Sequence, residues 1–248
     1  RFHKFLKSAY NMDIDAYGIS SWNAHPQTVA NFCTTGGDEN YIFVIDARSV
    51  STGLKGNLFY DLSSIKTIDW TDKKWDKATM EVTGKNGHFY GMRALASEPR
   101  GGVFFNKRLL KEAGVDPDTI YDLQKEKKWT WETFEDMLKK TTRDLDNDGV
   151  FDTYGMANLS TEFCYLAAMS NGGSYIGKDA NGKYFNNIGN EKTLEALSWA
   201  ADLKQKYEKP QPEGANWDWM YASFINGEVA FQVDQEYRVG NIAGMQDD

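Results

Sequence analysis

The side chains best suited to chemistry lie in one acidic segment, Asp144-Leu-Asp-Asn-Asp-Gly-Val-Phe-Asp152. Carboxylates occupy alternate positions, Gly149 permits a sharp turn, and a further aspartate follows at the ninth position of the loop. Calcium takes six to eight oxygen ligands in a flexible geometry, and this spacing supplies several of them. The segment therefore predicts a structural calcium site, and its predicted ligands are Asp144, Asp146, Asp148, the Val150 carbonyl and Asp152.

The same residues indicate which kind of calcium site is expected and which alternatives to calcium remain. Gly155 stands at position twelve, where an EF-hand carries a bidentate glutamate, so a true EF-hand is not expected. Four aspartates in nine residues repel one another without a cation, so a solvated acidic turn that binds nothing is the second possibility. A zinc site is disfavoured, because the three histidines are scattered without ligand spacing.

Helices and short apolar runs alternate along the chain and must position these residues. Tyr41–Ile45 and Val229–Val233 are apolar runs typical of strands buried on both faces, and Met12–Tyr17 alternates as a strand does. Helices are predicted at 26–34, 107–113, from Thr130 onward, at 162–169 and at 191–207, the last burying Leu194, Leu197 and Ala201. The alternation predicts an α/β fold.

Composition excludes several classes of protein. The chain has 248 residues, of which 41% are hydrophobic and 26% charged, so it can form a globular core. Its net charge of −8 argues against nucleic acid or anionic membrane surfaces as partners. No run approaches the roughly 18 apolar residues that span a bilayer. The 14 Phe, 8 Trp and 13 Tyr suit large cores, and they would also suit stacking on sugars.

Several motifs occur in an order that resembles a known family. Asn106-Lys107 follows an apolar strand and precedes Leu-Leu-Lys-Glu-Ala-Gly-Val; Trp131-Glu-Thr-Phe begins a helix; Phe224-Ile-Asn-Gly-Glu-Val-Ala-Phe231 enters a strand. Together they resemble the family 1 extracellular solute-binding proteins of sugar ABC importers, the maltose-binding-protein-like group. The proline that usually precedes the tryptophan motif is absent here.

The resemblance implies a two-lobe, periplasmic-binding-protein-like (type II) architecture that closes on a sugar in a cleft between the lobes. The lobe boundary is expected at Gly101-Gly102, which gives an N-terminal lobe at 1–101 and a C-terminal lobe at 102–248. The resemblance also implies that the chain is incomplete and lacks the first strand of one lobe and the segments that would follow Val229–Val233.

The resemblance further implies which side chains contact the ligand. Open α/β sheets bind ligands at the carboxyl ends of their strands, where four polar or aromatic candidates fall. Two more precede the expected hinge, two begin the helix at 162–169, and one matches the aromatic residue that stacks on sugar after the last strand. The candidates are Trp22, Asn23, Asp46, Arg48, Glu98, Arg100, Glu162, Phe163 and Tyr237.

The leading hypothesis is a non-enzymatic receptor that delivers a mono- or oligosaccharide to the membrane permease of an ABC importer. Such a receptor is expected to be a monomer in the periplasm or outside the cell, either free or anchored by a lipid. One alternative is a glycoside hydrolase with paired carboxylates such as Asp46 and Glu98. Another is a calcium-dependent scaffold or adhesion module, supported only by the acidic loop.

Overall fold

The computed structural model describes residues 2–35, 41–94, 101–242 and 245. Its contacts divide the chain into two compact units, unit 1 at Arg1–Glu98 and unit 2 at Pro99–Asp248. None of the helices within these described ranges combines the length and apolar character needed to cross a bilayer.

Unit 1 is a set of short helices with one small hairpin. Its elements are α1 (Phe2–Tyr10), α2 (His25–Thr35), α3 (Ala47–Lys55), a 3-10 turn (Leu62–Ser64), α4 (Lys77–Val82), β1 (Gly84–Lys85) and β2 (His88–Phe89). Asn86 and Gly87 join the two strands with positive φ angles of 54° and 81°, as a tight hairpin turn requires. Within the described residues these two strands pair with each other and with no larger sheet.

Two strands predicted in unit 1 are not formed. Residues 12–17 have no regular structure, and the apolar run at 41–45 is an irregular segment outside any sheet. Ile42 and Val44 are each 90% exposed, whereas a parallel strand would bury them. A strand needs a second strand that pairs with its backbone, and no strand of the described residues pairs with this run. Phe43 instead packs its ring against Phe32 of α2.

Unit 2 contains a three-stranded sheet covered by helices. Its elements are β3 (Gly101–Phe105), α5 (Lys107–Glu112), α6 (Thr119–Lys125), α7 (Trp131–Thr141), β4 (Tyr154–Met156), α8 (Ser160–Ser170), β5 (Ile176–Lys178), β6 (Tyr184–Asn186), α9 (Glu191–Tyr207), α10 (Trp219–Ile225), β7 (Val229–Gln235) and a 3-10 turn (Glu236–Asn241). Strands β5 and β6 form a separate hairpin.

Strand β7 is the centre of this sheet. It pairs antiparallel with β3, Phe105 facing Phe231, and parallel with β4, Met156 facing the same Phe231. Every residue of β7 from Val229 to Asp234 is buried, which confirms the strand predicted from its apolar run. Since parallel strands end at one edge of a sheet, the segments after β4 and β7 lie side by side there.

The helices pack on the sheet largely as predicted, with one error of face. Thr130 caps α7, its hydroxyl accepting from the backbone of Thr133, whose own hydroxyl accepts from the Thr130 N–H. Helix α9 has the predicted bounds, but Leu194 is 53% exposed and Ala201 is also exposed. The buried face is instead one position away and is formed by Thr193, Ala196, Ala200 and Leu203.

Candidate functional site

Three of the predicted ligand residues of unit 1 lie together at the start of α3. Asp46 caps this helix, its Oδ1 accepting from the Arg48 backbone N–H at 2.9 Å. The Arg48 guanidinium donates to Asp46 Oδ2 from Nε at 2.9 Å and from Nη2 at 2.6 Å. The hydrogen bond from the Arg48 side chain lowers the pKa of the Asp46 carboxyl below its ordinary value, so this ion pair stays charged near neutrality.

Trp22 joins this pair through its backbone and its ring. Arg48 Nη2 donates to the Trp22 carbonyl at 2.9 Å, and the guanidinium carbon lies 4.0 Å from the centre of the indole ring. The Trp22 side chain is still 71% exposed, so part of its surface is open to a ligand. Asn23 is exposed in the turn that precedes α2.

His25 belongs to the same region, and the sequence did not identify it. Its Nε2 lies 3.0 Å from the Val44 carbonyl and its Nδ1 lies 3.1 Å from Ser20 Oγ. These contacts tie the segment at 41–46 to α2, and they fix the direction from which the chain enters α3. The placement of Asp46 therefore depends on a histidine that a search for ligand side chains would pass over.

The predicted residues of unit 2 do not share one environment. Glu162 accepts a hydrogen bond from Gln235 Nε2 at 2.9 Å, which joins the first turn of α8 to the end of β7. Phe163 is 2% exposed and its ring lies 6.1 Å from that of Trp199. Phe163 is thus a core residue in this structure rather than a surface that a ligand could touch. Glu98 and Arg100 lie outside the described residues.

Tyr237 lies in a group of five residues that we name the Arg238 cluster. Its members are Trp217, Tyr221, Asp234, Tyr237 and Arg238. Asp234 is 1% exposed and accepts from the Tyr221 hydroxyl at 2.7 Å. Burial, and then this hydrogen bond, raise the pKa of Tyr221 far above its ordinary value, so the phenol stays protonated and remains a donor.

The surface of the Arg238 cluster is aromatic. Tyr237 is 52% exposed and Trp217 is 60% exposed, while Tyr221 beneath them is buried. The guanidinium carbon of Arg238 lies 4.7 Å from the Tyr237 ring centre and 5.6 Å from that of Trp217. Exposed flat rings beside polar groups can stack on an apolar ligand face and orient it.

A groove of 820 Å³ lies next to Trp217 on unit 2. Its walls come from the link between β4 and α8, the end of α9 with the residues that follow it, and the start of α10. Asn158 lies in this wall and is 4% exposed. Its Oδ1 accepts from the Val233 N–H at 2.6 Å, which leaves its buried Nδ2 without a hydrogen-bond partner among the described residues.

The positive charges in this groove are already compensated. Lys204 donates to Ser160 Oγ at 2.7 Å and pairs with Glu208, and Lys209 pairs with Glu228. Lys206 pairs with Asp202 at 2.5 Å. The lining therefore favours a neutral polar ligand over an anion, because an anion would have to displace these carboxylates.

The acidic loop gathers three of its four aspartates. Asp144, Asp146 and Asp152 each offer a carboxylate oxygen, and these oxygens lie within 4.8 Å of one another. Asn147 and Gly149, with φ angles of 61° and 89°, turn the chain back on itself. Antiparallel hydrogen bonds between the backbones of Arg143 and Thr153 hold the two ends of the loop together.

Backbone donors occupy part of each carboxylate in the loop. Asp144 Oδ2 accepts from the Gly149 N–H at 2.9 Å, and Asp152 Oδ2 accepts from Leu145 at 2.6 Å. Asp148 lies outside the group of three, and its Oδ1 accepts from the Val150 N–H at 2.7 Å. Asp144 Oδ1 is buried without a hydrogen-bond donor among the described residues, which suits a cation ligand.

One constellation in unit 1 has the residue types of a hydrolase but not the geometry. Ser63 Oγ donates to Asp61 Oδ1 at 2.5 Å, and His88 Nδ1 lies 2.9 Å from Asp61 Oδ2 and 3.1 Å from Ser63 Oγ. A catalytic triad needs the carboxylate and the serine on opposite ring nitrogens of the histidine. Here both contacts use Nδ1, so His88 cannot relay a proton from Ser63.

Comparison with known proteins places the chain among binding proteins. Residues 36–247 match the family model of the bacterial extracellular solute-binding proteins. The arabinooligosaccharide-binding protein of Bacillus subtilis (strain 168) is 28% identical over 184 residues, which cover 73% of this chain and 38% of that protein.

Solved structures confirm the fold. The ABC substrate-binding protein Lmo0181 from Listeria monocytogenes, in complex with cycloalternan, superposes with a TM-score of 0.68 at 21% identity, over 98% of this chain and 58% of that one. UgpB from Mycobacterium tuberculosis, in complex with glycerophosphocholine, superposes with a TM-score of 0.67 at 15% identity, over 99% of this chain and 58% of that one. The predicted α/β fold of the type II periplasmic binding proteins is confirmed, and the chain spans less than two thirds of the length of these relatives.

Proposed function

Because the chain belongs to the bacterial extracellular solute-binding protein family, we propose that it is a receptor that binds a carbohydrate and delivers it to an ABC importer. The observation that carries this proposal is the likeness to an arabinooligosaccharide-binding protein over 73% of the chain. The exposed rings of Trp217 and Tyr237 and the compensated charges of the neighbouring groove support a neutral sugar as its ligand.

The proposed ligand contacts are those predicted side chains that the structure leaves accessible. They are Trp22, Asn23, Asp46 and Arg48 on unit 1, and Glu162 and Tyr237 on unit 2. To these we add Trp217, which lines the groove and is 60% exposed.

The proposed partners follow from the transport role. The receptor would contact the transmembrane subunits of its importer as a monomer, in the periplasm or outside the cell, either free or anchored by a lipid. The proposed activity is binding without chemical change to the sugar. Release of product from a chromogenic arabinoside would contradict this and support a hydrolase instead.

Titration calorimetry on the chain tests the proposed ligand. The panel comprises a neutral arabino-oligosaccharide, cycloalternan and glycerophosphocholine. We expect heat from at least one carbohydrate and none from the phosphodiester. If no carbohydrate binds at millimolar concentration, the receptor proposal fails.

Tyr237→Ala and Tyr184→Ala provide a matched pair for the proposed contact. Both tyrosines are 52% exposed in unit 2 and both have a cation near the ring, but Tyr184 lies on the β5–β6 hairpin. We expect Tyr237→Ala to weaken carbohydrate binding by roughly fivefold, since one aromatic stack is worth about 1 kcal/mol. Tyr184→Ala should bind as the wild type does. Equal affinities in both variants would exclude Tyr237 from the site.

We also propose that the acidic loop binds calcium as a structural ion. Asp144, Asp146 and Asp152 would supply carboxylate oxygens, and the ion would replace the missing donor at Asp144 Oδ1. We expect added calcium to raise the thermal midpoint and EGTA to reverse the rise, by the mass action of a ligand that binds only the folded state. Asp144→Asn should abolish this response, and Asp179→Asn, in another loop of unit 2, should keep it. A wild-type midpoint that ignores calcium would contradict the proposal.

A further inference from the structure

Arg238 follows β7 in the short helical turn Glu236–Asn241, and nothing in the sequence pattern singled it out. Its guanidinium carbon lies within reach of three aromatic rings. The distances to the ring centres are 4.7 Å for Tyr237, 5.1 Å for Tyr221 and 5.6 Å for Trp217. A cation within about 6 Å of a ring centre is attracted by the electrons of the ring, and here three rings share one cation.

The three rings account for most of the contacts described for the Arg238 guanidinium. Its Nε is buried and has no hydrogen-bond partner among the described residues. The Oδ1 of buried Asp234 lies 3.9 Å from that Nε and forms an ion pair with it, although this distance is too long for a hydrogen bond. By contrast, the guanidinium of Arg108, also in unit 2, donates to Glu112 at 2.8 Å. The Arg238 side chain is only 17% exposed, and it is held by its packing against the rings together with this long ion pair, without a hydrogen bond from Nε to a carboxylate.

The three rings differ in how firmly they are held. Tyr221 is 5% exposed and donates to buried Asp234, so its position is fixed. Trp217 and Tyr237 are 60% and 52% exposed. Exposed rings change rotamer on a nanosecond timescale unless something restrains them. Arg238 connects the fixed ring to both exposed ones.

We infer that Arg238 is a positioning residue that holds Trp217 and Tyr237 in one arrangement for stacking on a ligand. The inference rests on the proposed carbohydrate site, to which it adds a preorganising side chain. If the rings are already held before binding, less of their conformational entropy is lost when the ligand binds, and the free-energy cost of binding is smaller. The planar guanidinium suits this role because it stacks on several ring faces, whereas a lysine ammonium is a compact, strongly hydrated charge.

The test compares Arg238→Lys and Arg238→Met with the control Arg108→Lys. Arg238→Lys keeps the positive charge near Asp234 but loses the planar group. Each chain is labelled with 5-fluorotryptophan, and the Trp217 resonance is assigned from its absence in Trp217→Phe. The first measurement is the position and width of this fluorine resonance without sugar. The second is the dissociation constant for a neutral arabino-oligosaccharide, and the third is the thermal midpoint.

We expect Arg238→Lys to shift or broaden the Trp217 resonance and to weaken sugar binding about tenfold, with a midpoint close to the wild type. Arg108→Lys should change none of the three. If Arg238→Lys leaves the resonance unchanged, the inference is overturned: Arg238 then touches the sugar directly if affinity falls, and otherwise only balances the charge of Asp234. If the wild type binds no carbohydrate, the proposed function fails, and the resonance alone still decides whether Arg238 positions the ring.

Discussion

The buried hydrogen bond between Tyr221 and Asp234 makes a stability prediction that the structure allows us to size. Tyr221→Phe removes only the hydroxyl, which donates to Asp234 Oδ2 at 2.7 Å. Asp234 is 1% exposed, so water cannot replace the lost donor. The carboxylate would keep the Gln235 N–H at 2.6 Å and the ion pair with Arg238 at 3.9 Å. Hydrogen bonds to charged groups contribute about 1.5–3 kcal/mol, so we expect a loss of about 2 kcal/mol in the free energy of unfolding.

Tyr207→Phe is the matched control for this measurement. The Tyr207 hydroxyl also donates to a carboxylate in unit 2, but at 3.3 Å, and the Glu135 side chain that accepts is 32% exposed. Water can replace that donor, so the loss should stay below about 0.5 kcal/mol. Urea unfolding followed by circular dichroism gives both values, with the slope m expected to be unchanged.

The reasoning would be refuted if the two variants lost the same free energy. A double-mutant cycle with Asp234→Asn separates the pair from its surroundings. We expect the effects of Tyr221→Phe and Asp234→Asn to be non-additive by at least about 1 kcal/mol, since both remove the same bond. Additive effects would mean that the hydroxyl stabilises the chain through some other contact.

Two further predictions concern pH and packing. Because the pKa of Tyr221 is raised on folding, its contribution to stability is fully present below the ordinary tyrosine pKa of 10.0 and is lost as the pH rises above it. The free energy of unfolding in urea should therefore fall more between pH 9 and pH 11 in the wild type than in Tyr221→Phe. Equal falls in the two chains would contradict this. In unit 1, a Cβ at Gly53 would lie 1.9 Å from the Phe59 ring, whereas one at Gly18 would meet nothing within 4 Å. Overpacking in Gly53→Ala should lower the free energy of unfolding by about 1–3 kcal/mol, and Gly18→Ala should lower it far less. Equal urea midpoints for the two variants would show that the Phe59 ring moves aside freely.

Local signals in the sequence predicted those elements whose stability is local. Thr130 predicts the start of α7, because its hydroxyl accepts a hydrogen bond from a backbone N–H that has no partner within the first turn of the helix. Gly114 adopts a φ of 74° after α5, as a left-handed cap requires. The buried strand at 229–233 was also found, because a continuous apolar run suits the centre of a sheet.

The sequence misled where neighbours decide the outcome. In α9 the larger Leu194 faces outward and the small Ala196 and Ala200 face inward. They share one core with Ala167 and Ala168 of α8, and small residues let two helices approach closely. Hydrophobicity alone favours the face with the leucines. The composition of the run at 41–45 is typical of a strand, yet no strand of the described residues pairs with it.

Candidate site residues divide in the same way. Asp46 and Arg48 are close in sequence, and their pairing follows from the helix cap between them. The Arg238 cluster joins the start of α10 to the end of β7, and no spacing rule connects Trp217 with Arg238 before the fold is known. Phe163 was placed on a ligand surface by resemblance, but the packing of α8 against α9 turns its ring inward.

The central position of β7 has a consequence for how the nascent chain reaches its fold. Strands β3 and β4 are made first but, in the described part of the chain, they enter one sheet only through β7, so that sheet cannot form until residues 229–235 leave the ribosome. Closing the pair of Phe105 with Phe231 joins distant parts of the chain, and such long-range pairing is slow. The sheet of unit 2 therefore assembles only after most of the chain has been made, and folding of this unit cannot keep pace with synthesis of its first strands.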